Sequence, residues 1–182
     1  MTGESNVKAQ ESMVFQTDSP AATGAFGALL AQGLEAGDFI ALEGDLAAGK
    51  TSLIKGLAAG LGYTGPVTSP TFSLLQIYEG GRLPLYHFDV YRLKRPEELE
   101  DIGYEDYFYG EGVAAVEWSN ETAAYLPANR IELRLSAGVS QDQDQRRIAL
   151  RVLGSREDWR QGRLQQFACL LKDYVPEDRE SI

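Results

Sequence analysis

A chain of 182 residues and 20.0 kDa suits one domain with a substantial core, since two independent domains would each be small. Its 43% hydrophobic content, seven Phe and nine Tyr mark a folding chain, and 17 Lys+Arg against 27 Asp+Glu, a net charge of -10, disfavour direct contact with a nucleic-acid backbone. One Cys (Cys169) and one His exclude an internal disulfide, a cysteine-based zinc site and a catalytic His pair; with no apolar leader in Met1 to Ala9 and no apolar run of about 18 residues, a cytoplasmic protein without membrane contact is expected.

In chain order, residues 1–12 are expected to be disordered. Ser19-Pro20 then reads as an N-cap followed by proline at the first helical position, with Ala22, Phe26, Leu29, Leu30 and Leu34 at helical spacing until Gly37. Phe39 to Leu42 is a buried strand, and Leu53, Ile54, Leu57, Ala58 and Leu61 form one face of a helix closed by Gly62. Phe72–Tyr78 and Leu83–Tyr91 flank Glu79-Gly80-Gly81-Arg82, a natural hairpin. Pro96-Glu97-Glu98-Leu99 starts a short acidic helix, and Val113 to Val116 is a second buried apolar run. Ile131, Leu133, Leu135 and later Ile148, Leu150, Val152 alternate with polar residues as half-buried antiparallel strands, separated by the polar loop Ser140–Gln145. A closing helix is expected within 156–175 through Leu164, Phe167, Ala168 and Leu171, and 176–182 is expected to be disordered. The clusters Arg146-Arg147-Arg151 and Arg156-Arg160-Arg163 read as solvated faces.

Gly44-Asp45-Leu46-Ala47-Ala48-Gly49-Lys50-Thr51 matches G-x-x-x-x-G-K-[ST], with the required strand before it and helix after it. That spacing wraps backbone N–H groups around a β-phosphate while the helix N-terminus points at the same anion. Lys50 is placed to neutralise the β- and γ-phosphates, and the Thr51 hydroxyl to ligate Mg²⁺.

A magnesium site needs a further acid, usually at the carboxyl end of a strand beside the loop strand. Glu117, emerging from Val113 to Val116 before Trp118, fits, with a plain solvated carboxylate as the alternative. Asp89 is its rival, or else a partner of Arg92 or His87; alternation puts His87, Asp89 and Tyr91 on one face, and His87 is expected to serve packing. Thr68-Ser69-Pro70-Thr71 lies about twenty residues after the loop, where nucleotide switches place a hydroxyl that senses the γ-phosphate; a plain proline turn is the alternative. No Lys is followed two residues later by Asp, so ATP is expected rather than GTP.

The ordered segments GDLAAGKT, VTSPTFSLLQIYEG, LYHFDVYRLKRPEELEDIGYEDYF and VAAVEW resemble the TsaE family (also called YjeE) over roughly residues 20–135. The resemblance implies a P-loop NTPase-like α/β fold, with a mostly parallel sheet flanked by helices and an antiparallel hairpin portion. It implies ATP and Mg²⁺ as ligands, and work on tRNA N6-threonylcarbamoyladenosine together with the TsaD and TsaB proteins, tRNA being met only through that complex. Carried over residue by residue, it gives Lys50 and Thr51 to phosphate and metal, Glu117 to the metal, and Asp89 to the nucleotide. Ser69-Pro70-Thr71 becomes a switch, with Thr71 in a catalytic role. Residues Gly44 to Ser52 form the nucleotide cradle, and the base lies near Pro20 and Thr23, with Arg146 as a weaker contact.

Two positions depart from the family pattern. Ala47 stands where the family loop carries a glycine, so a positive φ there disfavours the loop by about 1 kcal/mol. Ser119-Asn120 follows Trp118 where Pro or Gly is common. The leading reading is an ATPase subunit that is weak alone and is activated by its partners. A P-loop small-molecule kinase and a nucleotide-gated binding module without turnover are the alternatives, the former requiring a lid of Arg residues.

Overall fold

The computed structural model describes residues 12–70, 73–138 and 143–174. The expected switch residue Thr71, Phe72 and most of the polar loop before Gln145 lie outside the described residues, as do 1–11 and 175–182. Ser12, expected in a disordered tail, instead opens strand β1 (Ser12–Thr17), whose Val14, Phe15 and Gln16 face Ala149, Ile148 and Arg147 of another strand. Too few apolar residues alternate over this segment to betray a strand, and it is the pairing partner that makes it one.

Helix α1 (Pro20–Gln32) begins as the sequence dictates: Ser19 Oγ accepts the Ala22 N–H at 3.1 Å, and Pro20 occupies the first turn. It ends at Gly33 rather than Gly37. Arg82 Nη2 donates to Ala31 O and Leu34 O, and Arg163 Nη1 donates to Gly33 O, so distant guanidinium groups satisfy the terminal carbonyls. Strand β2 (Phe39–Glu43) leads through the glycine loop to α2 (Lys50–Gly60). The hairpin is β3 (Leu75–Tyr78) and β4 (Leu85–Asp89), followed by the short helices α3 (Glu98–Asp101) and α4 (Glu105–Phe108) and by β5 (Val113–Glu117). A kinked 3₁₀ segment at Ser119–Tyr125, strands β6 (Arg130–Ala137) and β7 (Arg146–Leu153), helix α5 (Glu157–Leu170) and a last 3₁₀ turn at Lys172–Tyr174 complete the described chain.

Among the described residues the seven strands form one sheet in the order β1-β7-β6-β2-β5-β4-β3. Its centre is parallel (β6, β2, β5 and β4), and antiparallel pairs flank it, β6–β7 and β7–β1 on one side and β4–β3 on the other. The central strands β2 and β5 are buried on both faces, hence their apolar runs, whereas β6 alternates buried with partly or fully exposed residues. One face carries α1, α2 and α5 over Ile40, Leu42, Leu133 and Leu150. The other packs Phe39, Phe88 and Val116 against Phe108 and Leu99 of the short helices. Among the described residues no helix is long and apolar enough to cross a membrane.

Helices α1 and α2 touch backbone to backbone. A Cβ added to Gly56 would lie 1.9 Å from Gly24 O, and one added to Gly60 would lie 2.4 Å from Ala28 O. This approach presses the N-terminal turn of α1, with Pro20 and Thr23, against the helix that follows the loop. Gly56→Ala therefore runs against helix propensity: although alanine favours a helix by about 1 kcal/mol, the clash is expected to destabilise the protein by about 1–3 kcal/mol. A lowered urea midpoint measures it, and a raised midpoint contradicts the contact.

Arg163 corrects one expectation, since it is not on a solvated face. Only 5% exposed, it lies over the Phe167 ring, pairs with Asp38, and reaches Gly33 O at 2.7 Å and Glu35 at 3.6 Å. Burial raises the Asp38 carboxyl above its ordinary value, and the Arg163 charge pulls it back. Because one charged side chain can hide among backbone acceptors, a polar helix pattern did not reveal α5 as anchored to the α1–β2 turn. Arg163→Met strands Asp38 and is expected to lower stability by about 3 kcal/mol at neutral pH. With the folded Asp38 pKa raised further, its contribution is present at acid pH and lost as pH rises, so the deficit should shrink on acidification. Urea midpoints of both proteins at neutral and mildly acid pH test the sign.

Candidate functional site: a phosphate loop beside two strand-end acids

The turn between β2 and α2 takes its shape from three residues at positive φ: Gly44 at 145°, Ala47 at 63° and Gly49 at 100°. A Cβ on Gly44 would meet Leu135 O at 2.5 Å, so only glycine fits there. Ala47 does adopt the left-handed conformation that the sequence flagged as unfavourable for alanine. It is the third residue of the turn Asp45–Ala48, closed by Ala48 N–H to Asp45 O at 3.1 Å. Gly49 is the N-cap of α2, so the free amides and positive dipole end of that helix open onto the loop.

Lys50 is buried, 6% exposed, at the first position of α2. Its Nζ donates to Gly44 O at 2.6 Å and Asp45 O at 2.9 Å, and stands 4.0 Å from the centre of the Trp118 ring. Burial lowers its pKa from the ordinary lysine value, against the opposing pull of Glu117, Asp89 and Asp45. The two acids arrive by register: Asp89 ends β4 directly beside Glu117, which ends β5 and lies beside Leu42 of the loop strand. Both are 4% exposed.

Each acid has its own support. Glu117 Oε1 lies 2.9 Å from His87 Nε2, and His87 Nδ1 lies 3.4 Å from the Tyr78 hydroxyl, which donates to Thr68 O at 2.6 Å. His87 thus orients Glu117, a more specific role than the packing expected of it, and it is Glu117 rather than Asp89 that it serves. Asp89 accepts from Ser69 Oγ at 3.3 Å and from the Tyr91 N–H at 3.2 Å. Among the described residues of the Thr68–Thr71 segment, the Ser69 hydroxyl reaches the site.

These groups surround a cleft of about 540 Å³. Pro20, Thr23, Leu46, Ala47, Ala48, Gly49, Lys50, Thr51, Ser52, Asp89, Glu117 and Arg146 all line it, so the structure brings together nearly every described residue that the sequence nominated. Gly44 and Asp45 stand behind, presenting carbonyls to Lys50. Sequence reasoning passed over Trp118, Tyr91, Arg92 and Asp144, which also line the cleft. The ring centres of Trp118 and Tyr91 are 4.7 Å apart, and Trp118 leaves β5 at φ 62°, a turn that the Ser119-Asn120 exit follows with a 3₁₀ segment. The adjacency of Trp118 to Glu117 was the available signal. Arg146 sits at the start of β7 rather than in the loop, with Nε donating to Ala48 O at 3.0 Å and Nη2 to Ala47 O at 3.2 Å.

The donors at this edge of the sheet, the Thr51 hydroxyl and the Asp89 and Glu117 carboxylates, are hard oxygens suited to a small divalent cation that shares its shell with phosphate. Among the described residues no three or more His, Cys, Asp or Glu side chains form a self-sufficient metal cage.

A parallel-centred sheet, a G-x-x-x-x-G-K-T loop entering a helix, and acids on the two strands beyond define an α/β protein of the P-loop class. Residues 17–148 match the family described as threonylcarbamoyl adenosine biosynthesis protein TsaE, and the chain belongs to that family. Relatives named tRNA threonylcarbamoyladenosine biosynthesis protein TsaE include one from Bacillus subtilis, 42% identical over 78% of this chain and 87% of its own, and one from Nostoc, 40% identical over 82% and 83%. A crystal structure of Bacillus subtilis YdiB superposes with a TM-score of 0.74 and 33% identity, covering 88% of this chain and 97% of that one.

Because desolvation is the largest cause of the lowered Lys50 pKa, opening the wall beside it should reverse the shift. Trp118→Ala is expected to move the Lys50 titration up toward the ordinary 10.5, the regained hydration outweighing the lost contact with the indole face, read by ¹³Cε NMR of labelled lysine. An unchanged or lower midpoint contradicts the shielding role of Trp118.

Proposed function

We propose that this protein is a Mg²⁺-dependent ATPase subunit of tRNA N6-threonylcarbamoyladenosine synthesis, acting through nucleotide-driven changes in a complex with TsaD and TsaB proteins. The observation that carries the reading is the convergence of Lys50, Thr51, Asp89 and Glu117 on one cleft at the N-terminus of α2. Family membership supports the pathway and the partners.

In this reading the turn from Gly44 to Gly49 and the first amides of α2 bind the phosphates, and Lys50 swings from the Gly44 and Asp45 carbonyls to the β- and γ-phosphate oxygens. Thr51 and Glu117 hold Mg²⁺, with Asp89 next to them. When bound, the cation neutralises charge that develops on the transferring phosphoryl group. His87 keeps Glu117 aimed, and Ser69 and the Tyr91 amide fix Asp89 to orient the attacking water. Pro20 and Thr23 flank the base. Thr71 belongs to the same switch segment as Ser69 and serves hydrolysis with it.

A kinase acting alone requires a lid of Arg residues over the transferring phosphate, whereas of the two described arginines that line the cleft Arg146 is committed to backbone carbonyls, which leaves Arg92 as a single candidate rather than a lid. The net charge of -10 favours meeting tRNA through partners, and the single cysteine fits the reducing cytoplasm.

Lys50→Ala is expected to abolish ATP hydrolysis in the reconstituted TsaD–TsaB complex, because it removes the cation that stabilises developing charge. Glu117→Gln should weaken ATP binding in Mg²⁺ more than ADP binding without it. Release of labelled phosphate from ATP and calorimetric titration read the two effects. Wild-type turnover by the Lys50 variant, or a full rate with no partner present, refutes the assignment.

A further inference from the structure

We infer that Arg146 is a positioning residue for the phosphate loop: its guanidinium holds the Ala47–Ala48 turn in a conformation that the loop's own sequence disfavours. The inference rests on reading residues 44–51 as that loop, and it reassigns Arg146 from a contact to the base.

Ala47 has φ 63°, in the region that glycine adopts freely and alanine does not. Left to itself, an Asp-Leu-Ala-Ala turn relaxes toward negative φ, rotating the peptide planes on either side. Two observations show what opposes this. Arg146 Nε donates to Ala48 O at 3.0 Å, and Nη2 donates to Ala47 O at 3.2 Å, so consecutive carbonyls of the turn are gripped by one planar fork. Nη1 donates to Gln145 O at 2.9 Å and to Gln143 O, tying the same group to its own strand entry. All three guanidinium nitrogens are engaged on main-chain oxygens.

The backbone of Arg146 cannot drift to follow the loop. As the first residue of β7 it pairs with Thr17 of β1 and Ala137 of β6, so the antiparallel half of the sheet is its abutment. The Thr17 hydroxyl in turn bonds Thr23 of α1 at 2.8 Å, closing a ring of contacts around the cleft.

Peptide planarity gives the grip its consequence. No cis peptide occurs among the described residues, so a carbonyl and the next N–H point in opposite directions. With Ala48 O drawn to Arg146, the Gly49 N–H points away from the guanidinium, and in this reading it is that amide which meets the phosphate. Fixing that amide before the anion arrives removes an ordering cost from binding.

The test is a double-mutant cycle of wild type, A47G, R146A and A47G/R146A. It is read by calorimetric titration of Mg·ATP and, without nucleotide, by urea midpoints. R146A is expected to weaken Mg·ATP about tenfold in the Ala47 background, the loss of two charge-assisted hydrogen bonds. In the A47G background, where the turn holds its shape unaided, the same change should cost no more than about threefold. R146K, which keeps the charge but not the fork, should behave like R146A. Equal losses in both backgrounds, full recovery with R146K, or a loss confined to ATP with GTP unaffected would each overturn the clamp, the last returning Arg146 to the base. If wild type does not bind Mg·ATP, the phosphate-loop reading fails, while coupling of the two substitutions in the urea midpoints still supports the clamp and additivity there still overturns it.

Discussion

Asp89 and Glu117 face each other across two parallel strands, and Glu117 is in register with Leu42, two residues before the first glycine of the loop. Side chains alternate along a strand, so this alignment decides which residues meet α2 and which enter the second core. Sliding β5 by one residue would exchange Glu117 for Val116, emptying the cleft of a carboxylate and driving it among Phe39, Phe88 and Phe108. Burying a lone carboxylate there is prohibitive, so the aromatic core under the short helices enforces the geometry of the site on the opposite face.

That geometry concentrates charge where water is scarce. A buried ammonium and two buried carboxylates lie around one cleft, beside a net excess of acid over the whole chain. Lys50 is stabilised by loop carbonyls and an indole face, Glu117 by an imidazole, and Asp89 by a hydroxyl and an amide. Each of these side chains therefore has hydrogen-bond partners of its own. The cleft is preorganised by this division of partners rather than by any single pair.

The sequence made the loop, its strand and helix, the hairpin and both acid candidates legible, because those features are local: glycine spacing, apolar runs and the residue that ends a run. It left four things hidden. β1 carries too weak an alternation to stand out and exists through its pairing with β7. Arg163 and Arg146 look like surface charges until their acceptors, far away in the chain, are brought beside them. Trp118 and Tyr91 meet only because β4 and β5 end together. His87 was visible, but its choice of Glu117 over the nearer-in-sequence Asp89 follows from neighbouring-strand geometry that no spacing within one strand contains.

The end of α1 illustrates how far such dependence reaches. The helix has no basic residue in its last turn, and Gly33 has right-handed φ/ψ, so no local motif stops it. Its final carbonyls are instead occupied by Arg82 and Arg163, the latter 130 residues downstream. During synthesis the Gly33 oxygen stays hydrated until 130 further residues have emerged, so the boundary of an early helix is completed by a segment made much later. The final turn of α1 should then fray in every partly folded species. Slow amide exchange there would report docking of the Arg82 turn and of α5 rather than the local strength of the helix.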